Sequence, residues 1–393
     1  MNLLEKKRAL RFSISIFALV FGYAFIVNSI GMFMNGIISD FNLHGAGEGS
    51  MSSMISTGGL LALLAVPWLQ GRIKKWTMLF LSCLIEVVIM LAFSLISVYW
   101  LLLTAYVILG MGCSWLDTYA NSAIVDVNKH NSHKYMGMLH GMFGVGAFLS
   151  PFVIQIMLNS LTWRQGYLAI SGINAVIALI FIFLTWKDRK YSTESTVESK
   201  IRLSEVWDYL KDRYNLALLA GGVMYAAAQA GMWVWIVRYM TLQYNRADLG
   251  AAALSVLWFA STISRFCAPG LKFKPLVMFA FGSASIVVFQ SLGLLINNPY
   301  IFLASYALIG LFSGLCIPVI LAEALENYTG RTSLPTSVMF IAMSVFRIAT
   351  PLIMGWISAV SSISVSMTLP VVISVVGIIA AYAALKIKYI RLN

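Results

Sequence analysis

Long runs of predominantly apolar residues alternate with short polar segments along the whole chain. Each run is close to the roughly 20 residues a helix needs to cross a bilayer. Twelve spans are predicted: Phe12–Ile38, Met51–Gln70, Met78–Ser94, Tyr99–Asp126, Tyr135–Leu158, Gly166–Trp186, Leu216–Leu242, Leu249–Ala268, Pro275–Ile296, Tyr300–Leu325, Pro335–Val360 and Val365–Lys386. One connection is longer than the rest, Lys187–Asn215, rich in charge and in Ser/Thr. It divides the chain into a six-span half (1–186), a connecting loop (187–215) and a second six-span half (216–393). Within the loop, Leu203–Arg213 reads as a short amphipathic helix lying on the membrane surface. The first apolar run is too long for a cleaved signal and lacks a small-residue cleavage site, so it is read as the first span.

Composition agrees with this pattern and narrows it. Of 393 residues, 60% are hydrophobic and 11% charged, where soluble proteins carry about 25% charged residues. An all-α, multi-pass protein of the inner or plasma membrane is expected, with the lipid bilayer as its solvent. The net charge of +12 raises the question of nucleic acid, and the placement of the charge answers it. With the N-terminus inside, 22 of the 27 Lys and Arg residues fall on inside segments. Arg164, Arg238 and Arg246 fall toward the outside, and Arg265 and Arg347 within spans. This is the positive-inside distribution; both termini are expected in the cytoplasm, and no nucleic-acid partner is expected. Cys83, Cys113, Cys267 and Cys316 lie in apolar runs without C-x-x-C spacing and are expected as small buried hydrophobes. His130 and His133 form an H-x-x-H without a supporting cysteine or carboxylate cluster, so neither a metal nor a cofactor is expected.

A shift of 200 residues, without gaps, brings three pairs of spans into register. Leu19, Gly22, Gly31 and Met32 meet Leu219, Gly222, Gly231 and Met232; Leu103, Tyr106 and Gly110 meet Leu303, Tyr306 and Gly310; Ser150-Pro151 meets Thr350-Pro351. Two parallel six-span repeats are the architecture of major facilitator transporters, which expose a central site to alternate sides by rocking. Gly71-Arg72-Ile73-Lys74-Lys75 is similar to the end of that superfamily's loop motif, although Trp68 stands where an acid is expected.

The seventh span, Tyr225-Ala226-Ala227-Ala228-Gln229-Ala230-Gly231-Met232-Trp233-Val234-Trp235-Ile236-Val237-Arg238-Tyr239, closely resembles the seventh helix of the fucose permease family of proton-coupled sugar symporters. Asp117-Thr118-Tyr119-Ala120-Asn121 is similar to that family's acid-Thr-x-x-Asn segment. His140-Gly141-Met142-Phe143-Gly144-Val145-Gly146-Ala147, Arg265-Phe266 and Thr350-Pro351 also fit. The chain departs from the family at Ser29, where one carboxylate of an Asn-Asp pair is missing, at Phe143, where an asparagine is expected, and at Arg347.

An ionisable group at mid-bilayer is expensive and faces a cavity or a partner. Asp117 shares a helix face with Ser114 and Asn121 and is the leading proton-coupling candidate, with Glu323 beside it in that role. Asn28, Asn121, Tyr225, Gln229, Trp233 and Arg347 form the candidate solute-binding set. Amides, hydroxyls and aromatic faces suit a sugar, and a guanidinium suits a carboxylate or phosphate. Arg347 is equally open to pairing with Asp117 or Glu323. Arg265, His140, Gly144 and Pro151 are gating or structural candidates, with a Glu323–Arg265 gate pair open. Glu86, central in the third span, is read as structural, as is Asp126.

The expected function is secondary active transport by a monomer: proton-coupled symport of a small polar solute, a sugar or sugar derivative, by alternating access. The alternatives are a proton-coupled exporter of a small organic or anionic solute, and a non-transporting membrane sensor or partner protein. No nucleophile, metal or paired-acid site supports an enzyme.

Overall fold

The computed structural model describes residues 3–69, 72–191, 202–267, 273–326, 328 and 333–392. Gly71, Lys272, Arg331 and the side chains of His130 and His133 lie outside the described residues. The first six long helices are α1 Leu3–Asp40, α2 Ala46–Leu69, α3 Lys75–Phe93, α4 Tyr99–Val127, α5 Ser132–Leu158 and α6 Trp163–Thr185. A short α7, Leu203–Lys211, precedes α8 Arg213–Tyr244 and α9 Ala247–Cys267. The ninth span joins α10 Pro275–Ser285 to α11 Ser291–Ile296 through a π turn. The tenth is interrupted, with α12 Pro299–Ser313 and α13 Cys316–Leu325. Then come α14 Ser333–Val360, α15 Ile363–Ser366 and α16 Leu369–Leu392. Among the described residues, 12 helical stretches are long and apolar enough to cross a membrane, and they follow the expected spans in order.

Local signals set the helix ends. Thr162 and Gln165 form a capping box at the start of α6. Asn298 caps α12, with Pro299 in its first turn. Asn245 and Asn297 stop α8 and α11 in the left-handed region, which asparagine tolerates better than most residues. Asp212 accepts hydrogen bonds from the backbone N–H groups of Tyr214 (2.8 Å) and Asn215 (3.3 Å) and so starts α8. The amphipathic helix therefore ends at Lys211 rather than at Arg213. It leaves Leu203 and Trp207 exposed and buries Tyr209.

The chain forms two compact units, Met1–Asn42 with Met54–Val197, and Leu43–Ser53 with Glu198–Asn393. The first residues of α2 thus belong with the second unit. Lipid offers no hydrophobic drive for helix association, so packing and hydrogen bonds must hold each unit together. In the first unit, Trp76 stacks on Phe80 and on Phe181 with centroids 5.7 Å apart, and its indole donates to Thr185 Oγ1 at 2.7 Å. The Tyr106 and Tyr167 hydroxyls meet at 2.8 Å, with Phe33 and Phe93 packed edge-on or tilted around them.

Glycines permit the closest helix crossings. A Cβ on Gly110 of α4 would lie 2.0 Å from the Ile55 carbonyl oxygen of α2, and one on Gly310 of α12 would lie 2.4 Å from the Leu257 carbonyl oxygen of α9. These glycines are 200 residues apart, and their partners lie on the second span of each repeat.

Several charges of the spans sit in ion pairs. Lys75 reaches Asp126 at 2.5 Å, and Arg164 binds Asp40. Arg238, expected toward the outside, lies within α8 and forms a buried pair with Glu48 of α2 at 2.7 Å. Cys267 corrects another expectation: it is exposed at the end of α9, while the other three cysteines are buried.

Candidate functional site

Each unit carries polar side chains at mid-span depth. In the first, Asp117 and Asn121 stand one turn apart on α4. The Asn121 amide nitrogen donates to the Asp117 carbonyl oxygen (2.8 Å) and to its Oδ1 (3.0 Å). Asp117 is exposed in this unit, whereas Leu116, Tyr119 and Ala120 pack against the neighbouring helices. The sequence pair is therefore realised as a hydrogen-bonded carboxylate on a membrane-spanning helix. Glu86 lies on α3, 2% exposed, and its Oε1 meets no hydrogen-bond partner among the described residues.

Asn28 has a different place from the one expected. Pro151 has no N–H, so it leaves the carbonyl of Ala147, four residues earlier in α5, without its helical donor. Asn28 Nδ2 donates to that oxygen at 3.0 Å and to Ser150 Oγ at 2.8 Å. The side chain is 3% exposed. Asn28 thus moves from the solute-binding set to helix packing, joining α1 to α5. Pro151 sits inside a continuous α5 on which Gly144 is buried and His140 exposed. Gly146 is the close-approach glycine there, a Cβ on it lying 2.7 Å from the Phe21 carbonyl oxygen. Phe143, standing where an asparagine is expected, packs on Tyr23 with centroids 5.7 Å apart.

The second unit builds its polar centre on the break between α12 and α13. Pro318 is the cause: with no N–H of its own, it cannot bond the Gly314 carbonyl four residues earlier, and its ring crowds that oxygen. Non-helical backbone at membrane depth needs replacement partners. Arg265 Nε of α9 donates to the Gly314 oxygen at 3.0 Å, and the Tyr225 hydroxyl of α8 donates to the Ser313 oxygen at 2.6 Å. Gln229 Nε2, one turn along α8, donates to the Tyr225 oxygen at 3.2 Å. Trp233, a further turn along and half-buried, packs on Trp258 with centroids 4.6 Å apart.

Tyr225, Gln229 and Arg265 are therefore brought together around the break, Trp233 continues the same face of α8, and Arg347 lies half-buried on α14. Glu323 lies elsewhere. It is 2% exposed, accepts a hydrogen bond from the Tyr214 hydroxyl and pairs with Lys388 Nζ of α16 at 2.6 Å. The expected Glu323–Arg265 gate pair is absent, since each side chain has a different partner. The break itself went unread in the sequence, although Ser313-Gly314 followed by Pro318 was its visible signal.

Twelve spans in two six-span sets, with polar groups concentrated at a broken helix and at a few mid-span positions, define a multi-pass membrane transporter. The Major Facilitator Superfamily pattern matches residues 14–289, and the chain belongs to that superfamily. It is 22% identical over 354 residues to the glucose/mannose transporter GlcP of Bacillus subtilis (strain 168), covering 86% of this chain and 87% of that protein. Among solved structures it is similar to the nucleoside transporter NupG, with TM-score 0.77 and 9% identity, over 96% of this chain and 99% of that one. It is also similar to the outward conformation of the superfamily transporter FucP, with TM-score 0.64 and 17% identity, over 95% and 98% of the two chains.

Proposed function

We propose that this chain is a proton-coupled symporter that imports a small polar solute of the sugar class across the inner or plasma membrane. It acts as a monomer, by alternating access of the halves 1–186 and 216–393, with both termini in the cytoplasm. The observation that carries this reading is the Asp117–Asn121 pair, an exposed carboxylate one turn from an amide on a membrane-spanning helix. A carboxylate in that position binds one proton on the side where protons are abundant and releases it on the other. Asn121 donates to Oδ1 and holds the carboxylate in place on the helix. Protonated Asp117 then accompanies the bound solute, and its deprotonation inside completes the coupling. Gln229 and Trp233 supply the amide and aromatic face that a sugar requires, and Tyr225, whose hydroxyl is committed to the Ser313 oxygen, holds the break beside them. The relative named for glucose and mannose transport supports this solute class.

Proteoliposome uptake under an imposed pH gradient tests it. Wild type should accumulate its sugar against a gradient, and Asp117→Asn should only equilibrate it. Equal accumulation by both proteins removes Asp117 as the coupling group.

A further inference from the structure

We infer that the transported solute carries an anionic group, a carboxylate or phosphate on a sugar-like frame, and that Arg265 receives it at the broken tenth span. This rests on the transport reading above and specifies its substrate.

The first argument is the arrangement of charge within the second unit. Glu48 is held by Arg238, Asp248 by Arg246, Glu323 and Glu326 by Lys388, and Asp212 by Arg391. None of these acids forms an ion pair with Arg265 among the described residues. A guanidinium within a span pairs with an acid or a backbone carbonyl, or faces a cavity; Arg265, in the last turn of α9, has the Gly314 carbonyl and no acid among the described residues of this unit.

The second argument is geometric. The Gly314 carbonyl takes only the Nε–H of Arg265, at 3.0 Å. No described residue accepts a hydrogen bond from the two terminal nitrogens. A guanidinium presents five N–H donors in a planar fork. Anchoring through Nε fixes the plane and leaves the pair of nitrogens whose spacing matches the two oxygens of a carboxylate or phosphate. The side chain is half-buried, so the fork is neither sealed in packing nor spread in solvent.

The third argument is position. Gly314 lies near the middle of the 27-residue span Pro299–Leu325, and Tyr225 and Gln229 adjoin the same break. An anion held at Arg265 therefore sits beside groups suited to sugar hydroxyls.

The test is thermal unfolding of the purified full chain with matched probes: glucose, galactose and mannose against glucuronate, galacturonate and glucose 6-phosphate, with inorganic phosphate alone as control. At least one acid should raise the melting temperature and bind about tenfold or more tightly than its neutral parent. Arg265→Gln should abolish the difference. Arg265→Lys, which keeps the charge without the fork, should retain part of it and covers the case in which the glutamine variant fails to fold.

Preference for a uronate assigns a carboxylate, and preference for glucose 6-phosphate above inorganic phosphate assigns a phosphate. Neutral sugars that stabilise as well as their acids overturn the anionic solute and leave the sugar reading intact. Stabilisation by inorganic phosphate as strong as by any sugar phosphate keeps the anion site and overturns the sugar frame. No response to either class overturns both.

Discussion

Glu323 is the residue on which the sequence pattern and the structure disagree most sharply about role, and substitution separates the two. Its carboxylate accepts from the Tyr214 hydroxyl and pairs with Lys388 Nζ at 2.6 Å, and Lys388 also reaches Glu326 at 2.7 Å. Glu323→Gln keeps an oxygen for Tyr214 but removes the charge facing Lys388. A charge-assisted hydrogen bond is worth about 1.5–3 kcal/mol and a neutral one about 1 kcal/mol. The Lys388 side chain is 34% exposed and keeps Glu326, so water and that partner recover part of the loss. The expected cost is about 1 kcal/mol. Glu323→Ala also leaves the buried Tyr214 hydroxyl without its acceptor, raising the cost to about 2–4 kcal/mol.

Unfolding in detergent measures these costs, and gradient-driven uptake in proteoliposomes measures coupling on the same preparations. Accumulation by Glu323→Gln should match wild type once the amount of folded protein is equalised. The opposite pattern, unchanged stability with accumulation lost and downhill uptake retained, would make Glu323 a coupling group and refute the structural assignment.

Two further outcomes probe the fold. Gly310→Ala places a Cβ 2.4 Å from the Leu257 carbonyl oxygen and should cost about 1–3 kcal/mol through backbone displacement, read as a lower unfolding midpoint; an unchanged midpoint would mean that the two helices do not cross this closely. Burial alone would raise the Asp212 carboxyl, but hydrogen bonds from Arg391 and the amides of Asn215 and Tyr214 hold it below the usual range. Its contribution is therefore present above about pH 4, the value in the unfolded chain, and is lost as the pH falls through the lower folded value. Asp212→Asn, which still caps α8, should flatten the acid limb of the stability curve, and an unaltered limb would remove Asp212 from it.

The spans were legible because a bilayer imposes length and apolarity on each helix independently of its neighbours. The repeat was legible for a related reason. Gly110 and Gly310 face equivalent helices in their own units, so the same demand for backbone approach acts at both positions. The Asp117–Asn121 pair could be read because both partners lie on one helix at a spacing of four. Partners remote in sequence could not be. Arg238 finds Glu48 across 190 positions and Glu323 finds Lys388 across 65, and residue type alone pointed Glu323 toward arginine instead. The connecting helix was recognised from its amphipathic pattern, but its end depended on Asp212 being committed to capping the next helix.

Intramembrane proline supplies a rule that would have separated two of the candidate residues. Each such proline leaves the carbonyl four residues earlier in need of a donor, and in lipid only another side chain, a water or a rearranged backbone can provide it. Pro151 and Pro318 thus create demands at Ala147 and Gly314, met by Asn28 and Arg265. The two donors differ in what remains afterwards. An asparagine amide has two N–H bonds, and Ala147 and Ser150 take both. An arginine has five, of which Gly314 takes one. The same backbone repair therefore consumes Asn28 and orients Arg265, which is why the broken tenth span, rather than the intact fifth, presents donors to a solute.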